Sequence, residues 1–222
     1  MSNVLFIAPH PDDETLGCGG TILKYAAKGH KIFWLIATSP ENDKEWMSKN
    51  DFNLYNSRIN DVASCYNFDD VFKLGKEVTK LDNTHIGNLV SEIGGIINGV
   101  GAEIIYFPNV NDVHTDHQII AKAVQSTIKW FRYPTIKKFY MYETLSETDF
   151  NRIYEPSFRP NVYNDISGYI ENKIKIMQIY DTEMGIFPFP RSRETIESLA
   201  RLRGSQCGYN FAEAFNLVFM KK

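Results

Sequence analysis

The chain has 222 residues, of which 43% are hydrophobic, and its formal net charge is −3. A chain of this length most often folds around one core, so we predict a single domain over residues 1–222. The slight acidity and the lack of a Lys/Arg cluster argue against nucleic acid as a partner.

The sequence carries no sign of a membrane segment or of export. The longest apolar runs, VLFIA and IFWLIA, are far shorter than the roughly 20 residues that a membrane span requires. The N-terminus lacks the basic stretch and the cleavage site of a signal peptide. The three cysteines (18, 65 and 207) are odd in number and have no C-x-x-C spacing, which indicates reduced thiols. We therefore expect a cytoplasmic protein without a membrane span.

Strand and helix signals alternate over the first two thirds of the chain. Short apolar or aromatic runs predict buried strands at 4–8, 32–38, 71–74, 103–107 and 136–144. Residues 14–29 and the apolar residues at helical spacing in 52–66, 86–97 and 119–131 predict the helices between them. Repeated β-α-β order predicts an α/β fold with a mostly parallel sheet and helices on both faces.

The last third is less regular. Residues 145–165 contain Pro156 and Pro160 and little periodicity, so we predict an irregular surface segment there. Helical patterns return at 167–182 and 193–203, and FNLVFM at 215–220 predicts a late strand.

Two polar motifs follow predicted strands, PHPDDE (9–14) after the first and DVHTDH (112–117) after the fourth. Ligands of parallel α/β sheets bind where the carboxyl ends of the strands meet, so we expect the two motifs to lie together. His10, Asp13 and His117 then offer two nitrogens and a carboxylate, the ligand set of catalytic zinc sites with an open position. Such a set also accepts iron or another divalent ion.

Other side chains of the motifs suit proton transfer. Asp12, beside the metal but not bound to it, would take the proton of a water whose pKa zinc lowers to about 7. A hydrogen bond that the Asp116 carboxylate accepts from the far nitrogen of His114 would favour a protonated imidazole. That imidazolium would stabilise an oxyanion or protonate a leaving nitrogen.

Simpler interpretations of these residues exist. Acids in the first turn of a helix contribute about 0.3–1 kcal/mol each, which explains one or two acids of PHPDDE. Helix capping explains neither the histidine between two prolines nor the second motif, although Asp112 or Thr115 could cap the helix that follows it. The spacing of GCGG (17–20) differs from G-x-G-x-x-G, which argues against nicotinamide binding.

The stretch His10-Pro11-Asp12-Asp13-Glu14, with the glycine-rich residues after it, and Asp112-x-His114-x-Asp116-His117 resemble the two signature motifs of the PIG-L (LmbE-like) family of zinc-dependent N-deacetylases. The resemblance implies a Rossmann-like three-layer fold and the removal of acetyl groups from N-acetylglucosamine units. It also implies that His10, Asp13 and His117 bind the metal, Asp12 is the general base, and His114, supported by Asp116, stabilises the tetrahedral intermediate.

A third match to that family is Arg58, followed by Asp61 where glutamate is commoner. The resemblance makes Arg58 a substrate contact, and the alternative is a surface ion pair with Asp61 or Glu77.

The sequence thus predicts a zinc-dependent hydrolase that deacetylates a small N-acetylated amino sugar or its conjugate. The alternatives are an amidase for a bulkier acyl group and a sugar-binding module without turnover.

Overall fold

The computed structural model describes residues 1–42, 49–152 and 158–222. The strands are β1 (Asn3–Ala8), β2 (Lys31–Thr38), β3 (Asp70–Lys76), β4 (Ile104–Pro108), β5 (Lys138–Tyr142), β6 (Val162–Asp165) and β7 (Ala212–Met220). The α-helices are α1 (Asp13–Ala27), α2 (Lys49–Tyr66), α3 (Ile86–Val100), α4 (Thr115–Gln125), α5 (Ile170–Met177) and α6 (Arg193–Ser205).

All of these strands join one sheet in the order β3-β2-β1-β4-β5-β7-β6. Strands β1 to β5 pair in parallel, and β7 runs antiparallel to both β5 and β6. The predicted mostly parallel α/β sheet is therefore confirmed. The chain order reverses between the neighbours β1 and β4, and a crevice for ligands opens at such a point because the two loops leave in opposite directions.

Apolar side chains cover both faces of the sheet. Along β1, Val4 and Phe6 belong to one core cluster, whereas Leu5 and Ile7 belong to the other. Helices α1, α2, α5 and α6 contribute to the first cluster, and α3 and α4 contribute to the second. Each Leu, Ile or Phe that is fully buried contributes about 1.5–3 kcal/mol, so the two clusters hold the three layers together.

Gly17, the first glycine of GCGG, serves the packing of α1 against the sheet. A Cβ atom at Gly17 would lie 2.3 Å from Cδ2 of Tyr142 in β5. The ring of Tyr142 is itself fixed, because its hydroxyl donates to the carbonyl of Ile7 at 2.9 Å. Only a residue without a side chain allows this close approach, which positions the start of α1 over the end of β1.

Two predictions about the less regular parts need correction. The segment 145–165, predicted to be irregular, contains β6, which pairs with β7 at the edge of the sheet. The predicted helix over 119–131 is shorter in the structure, because α4 ends at Gln125. Ile128 and Phe131, the last apolar residues of the pattern, lie beyond that end. The predicted late strand is confirmed as β7. Pro156 lies outside the described residues.

Among the residues that the structure describes, no helix is both long enough and apolar enough to cross a membrane.

Candidate active site

The two motifs meet at the carboxyl ends of β1 and β4. Thr38 at the end of β2 holds the first loop, since its backbone N–H and its hydroxyl both donate to the carbonyl of Pro9, at 3.0 and 2.8 Å. The ring centroid of His10 lies 4.6 Å from that of His114 and 5.4 Å from that of His117. The predicted meeting of the loops is therefore confirmed.

The predicted metal ligands surround one carboxylate oxygen. Oδ2 of Asp13 lies 3.4 Å from Nδ1 of His10 and 3.2 Å from Nε2 of His117. One ligand atom from each of these residues lies within 4.8 Å of the other two. Two nitrogens and a carboxylate that converge in this way fit a divalent cation with an open coordination position.

A second carboxylate holds the far nitrogen of each histidine ligand. Oδ2 of Asp112 lies 2.9 Å from Nδ1 of His117, and Oδ2 of Asp116 lies 3.0 Å from Nε2 of His10. Such contacts fix the tautomer and the orientation of metal-binding histidines. The sequence predicts only a possible helix cap for Asp112, so this contact with His117 is a finding of the structure. The place of Asp112 in the same motif, five residues before a predicted metal-binding histidine, was the signal available.

The predicted hydrogen bond between the Asp116 carboxylate and His114 is not found in the described structure. The carboxylate of Asp116 accepts from the backbone N–H groups of Thr79 and Leu81, at 2.8 and 3.3 Å, and contacts His10. His114 instead receives the backbone N–H of Asp116 at its Nδ1, at 3.1 Å. His114 is the N-cap of α4, so this contact satisfies an amide that the helix leaves unpaired.

The surroundings of His114 also favour its neutral form. Burial, together with the neighbouring His10 and His117, lowers the pKa of His114 to about 4. Because Nδ1 accepts a hydrogen bond, the proton of the neutral ring lies on Nε2. The neutral ring of His114 can therefore donate a hydrogen bond from Nε2.

Asp12 occupies the N-cap position of α1 but does not act as a cap. Its backbone has φ 124° and ψ −32°, and its side chain makes no capping hydrogen bond in the described structure. A non-glycine residue in such a region costs about 1–3 kcal/mol and is concentrated at functional sites. The carboxylate of Glu14 accepts the backbone N–H of Asp12 at 3.1 Å and so supports this conformation.

The carboxylate of Asp12 is buried beside another carboxylate and a guanidinium. Burial and the charge of Asp13 raise the pKa of Asp12 well above its ordinary value, and the charge of Arg191 opposes that rise. Nη1 of Arg191 lies 2.8 Å from Oδ2 of Asp12. Sequence reasoning missed Arg191, because nothing in the local pattern links it to a residue so far away in the chain.

Acidic neighbours raise the pKa of both histidines of the candidate metal site. Burial lowers the pKa of His10, but its hydrogen bonds to Asp116 and Asp13 more than compensate and raise the pKa to about 9. For His117, the effect of burial is likewise outweighed by Asp13 and Asp112, which raise its pKa well above the usual range. The two imidazoles in turn hold the pKa of Asp13 well below its ordinary value despite burial.

A cavity of about 510 Å³ opens over these residues. Arg58 of α2 lines it, and its Nη2 forms an ion pair with Oδ1 of Asp181. The ion-pair partner of Arg58 is therefore neither Asp61 nor Glu77, the two alternatives that the sequence suggests. The cavity wall combines acidic and basic side chains with a few polar and apolar ones. The lining residues include His10, Asp12, Asp13, Asp51, Leu54, Tyr55, Arg58, His114, His117, Thr182, Glu183 and Arg191.

The model of the PIG-L family, described as GlcNAc-PI de-N-acetylase, matches residues 5–128, which is more than half of the chain and includes both motifs. The chain belongs to the PIG-L family. The resemblance of its two motifs to that family is thereby confirmed.

Named relatives of this PIG-L protein are deacetylases. The probable N-acetyl-alpha-D-glucosaminyl L-malate deacetylase 2 of Bacillus cereus is 28% identical over 130 residues, which cover 55% of this chain and 59% of that protein. The chain thus matches less than two thirds of the length of that relative. The diacetylchitobiose deacetylase of Thermococcus kodakarensis is 21% identical over 225 residues, which cover 98% of this chain and 84% of that protein.

Solved structures share the fold. The N,N'-diacetylchitobiose deacetylase from Pyrococcus horikoshii superimposes with a TM-score of 0.80 at 17% identity, over 98% of this chain and 84% of that one. This likeness confirms the predicted three-layer α/β architecture.

Proposed function

We propose that this PIG-L protein is a metal-dependent hydrolase that removes the N-acetyl group from an N-acetylated amino sugar. The observation that carries the proposal is the convergence of His10, Asp13 and His117 on one point, with Asp12 and His114 lining the same cavity. Membership of the family and the names of the relatives support it.

The metal proposed is zinc, with iron as the alternative, because the ligand set is two imidazoles and one carboxylate. Zinc bound there would polarise the acetyl carbonyl and lower the pKa of a water molecule. Asp112 and Asp116 support this assignment, since each holds the far nitrogen of one histidine and leaves the nitrogen nearer Asp13 available.

The remaining steps fall to side chains of the cavity. Asp12 takes the proton of the attacking water and delivers it to the leaving nitrogen, because burial raises the pKa of its carboxyl group and so makes the carboxylate a stronger base than an exposed aspartate. His114 donates its Nε2–H to the oxygen on which negative charge develops, as in an oxyanion hole. Asp116 acts through His10, which it orients.

The substrate class proposed is an N-acetylglucosamine unit in a conjugate or a short oligomer. A cavity of about 510 Å³ lies in the size range of small-molecule sites, and its wall offers hydrogen-bond partners for sugar hydroxyls. Arg58 is proposed as a substrate contact, because it lies on that wall beside the acids and histidines. One domain over 1–222 and a cytoplasmic location stay predictions.

The test is acetate release by the zinc-loaded protein from free, nucleotide-linked, lipid-linked and oligomeric N-acetylhexosamines. We expect turnover of at least one of them, and a loss of about 10²–10⁴-fold in kcat for Asp12→Asn with zinc content unchanged. Preferential cleavage of amides with larger acyl groups would favour the amidase alternative. Saturable sugar binding without acetate release would establish a binding module and overturn the proposal.

A further inference from the structure

We propose that Arg191 is a positioning residue for the general base: it holds Oδ2 of Asp12 and thereby leaves Oδ1 to take the proton of the attacking water. This inference rests on the proposed function and adds a residue that neither motif contains. Arg191 lies between α5 and α6, 179 residues from Asp12 in the chain.

The guanidinium of Arg191 is held by other segments where it meets Asp12. Its Nε donates to Oγ of Ser146 at 2.9 Å, and its Nη1 lies 2.8 Å from Oε2 of Glu183. Glu147 lies farther away, with Oε1 3.9 Å from Nη2. The Arg191 side chain is 21% exposed, so solvent screens these contacts only in part. A planar guanidinium that is held at several of its nitrogens orients a carboxylate more strictly than the flexible ammonium group of a lysine would.

Asp12 needs such a partner. Its carboxylate is buried next to that of Asp13, and two like charges at this range repel each other. In the part of the chain that the structure describes, Asp12, at φ 124°, makes no side-chain hydrogen bond to the helix amides that would hold an ordinary N-cap. Without the Arg191 guanidinium at Oδ2, the Asp12 carboxylate would be free to rotate away from Asp13. It would then be out of reach of the attacking water.

Arg193 provides a matched control two residues away. Its Nη2 contacts both carboxylate oxygens of Glu171, at 2.9 and 2.8 Å, on the surface of the protein. Both arginines therefore form ion pairs, but only Arg191 lines the cavity.

The experiment compares Arg191→Met, Arg191→Lys, Arg193→Met, Asp12→Asn and the double variant Arg191→Met/Asp12→Asn, each loaded with zinc. Zinc content and melting temperature are measured beside kcat and KM for acetate release. We expect Arg191→Met to lower kcat roughly 10- to 100-fold, the effect of a small misplacement of a reacting group, with KM changed far less. Arg191→Lys should recover part of the loss, and Arg193→Met should match the wild type.

The double variant separates positioning from a merely structural role. If Arg191 acts through Asp12, removal of Arg191 costs nothing further once Asp12 is asparagine, so the double variant should match Asp12→Asn alone. If the losses in kcat of the two single variants multiply in the double variant, the inference is overturned. An unchanged kcat in Arg191→Met would overturn it as well.

Should Arg191→Met fail to fold, Arg191→Ala with added guanidinium ions takes its place, and a failure of guanidinium to restore kcat counts against the proposal. No acetate release by the wild type on any substrate would instead overturn the proposed function, and the inference with it.

Discussion

At the scale of single residues, two carboxylates decide which nitrogen of each histidine is free to bind a cation. Asp112 holds Nδ1 of His117, so Nε2 points toward Asp13, whereas Asp116 holds Nε2 of His10, so Nδ1 does. The two imidazoles thus face the shared carboxylate through different nitrogens, and each orientation is set by an acid from the second motif.

The corrected role of Asp116 leads to a direct test. Asp116→Asn should weaken zinc binding by about 10- to 100-fold, the usual cost of losing the partner of a metal-binding histidine. Competition with a chromogenic chelator measures that affinity, and Asp61→Asn, an exposed acid of α2, is the control. Unchanged zinc affinity together with a lower kcat would return Asp116 to the role of supporting His114.

Proton occupancy of the cluster makes cation binding depend on pH. The pKa of His10 lies at about 9, so at neutral pH its imidazole must lose a proton before it can bind a cation. We expect zinc affinity to rise as the pH rises from about 6 to about 8, by up to about tenfold per pH unit for each proton displaced. Calorimetry in buffers of different ionisation enthalpy counts the protons released. An affinity that is flat across this range would contradict the assignment.

At the scale of elements, the approach of α1 to the sheet determines where PHPDDE ends. The Tyr142 ring fills the space beside Gly17 and is anchored on the carbonyl of Ile7, so it has little room to move. The glycine-rich sequence after the motif therefore belongs to the packing of the helix that carries Asp13.

A methyl group at this contact should be costly. Gly17→Ala should lower the free energy of unfolding by about 1–3 kcal/mol, because overpacking outweighs the gain in helix propensity. In α3, a Cβ at Gly95 meets nothing within 4 Å, so Gly95→Ala should raise stability by about 0.5–1 kcal/mol. Urea denaturation followed by circular dichroism measures both. Equal changes in the two variants would show that packing at Gly17 is looser than the structure indicates.

At the scale of the whole molecule, the site lies where the strand order reverses. His10 follows β1, Asp13 is the first residue of α1, and His117 lies in the first turn of α4, so a bound cation would connect parts of the chain more than a hundred residues apart. A ligand that binds only the folded state stabilises it by mass action, by about 4 kcal/mol at a thousandfold excess over Kd.

Zinc should therefore raise the melting temperature of the wild type, and chelation should reverse the rise. His117→Ala should abolish the shift in melting temperature, because it removes one of the proposed ligands. The cation would then no longer connect α4 to the residues that follow β1. His85→Ala is the matched histidine control, since His85 caps α3 by accepting the N–H of Gly87 at 3.2 Å. A zinc shift that survives in His117→Ala would place the cation elsewhere.

The parallel α/β order could be predicted from the sequence, and so could the two motifs that supply His10, Asp12, Asp13, His114 and His117 to the cavity wall. These features are local, because strand and helix periods, and the loops at their ends, are properties of a few consecutive residues. The sequence also predicted that the loops would meet, since the carboxyl ends of neighbouring parallel strands share one edge of the sheet.

The pairing of polar groups, in contrast, depends on tertiary packing. Asp116 contacts His10 across 106 residues, and Arg191 contacts Asp12 across 179. Arg58 pairs with Asp181 rather than with an acid near it in the sequence. β6 joins the sheet through β7, which comes later in the chain. Such partners depend on how helices and loops pack over the sheet, and the short-range periodicity that identifies a helix or a strand contains no information about that packing.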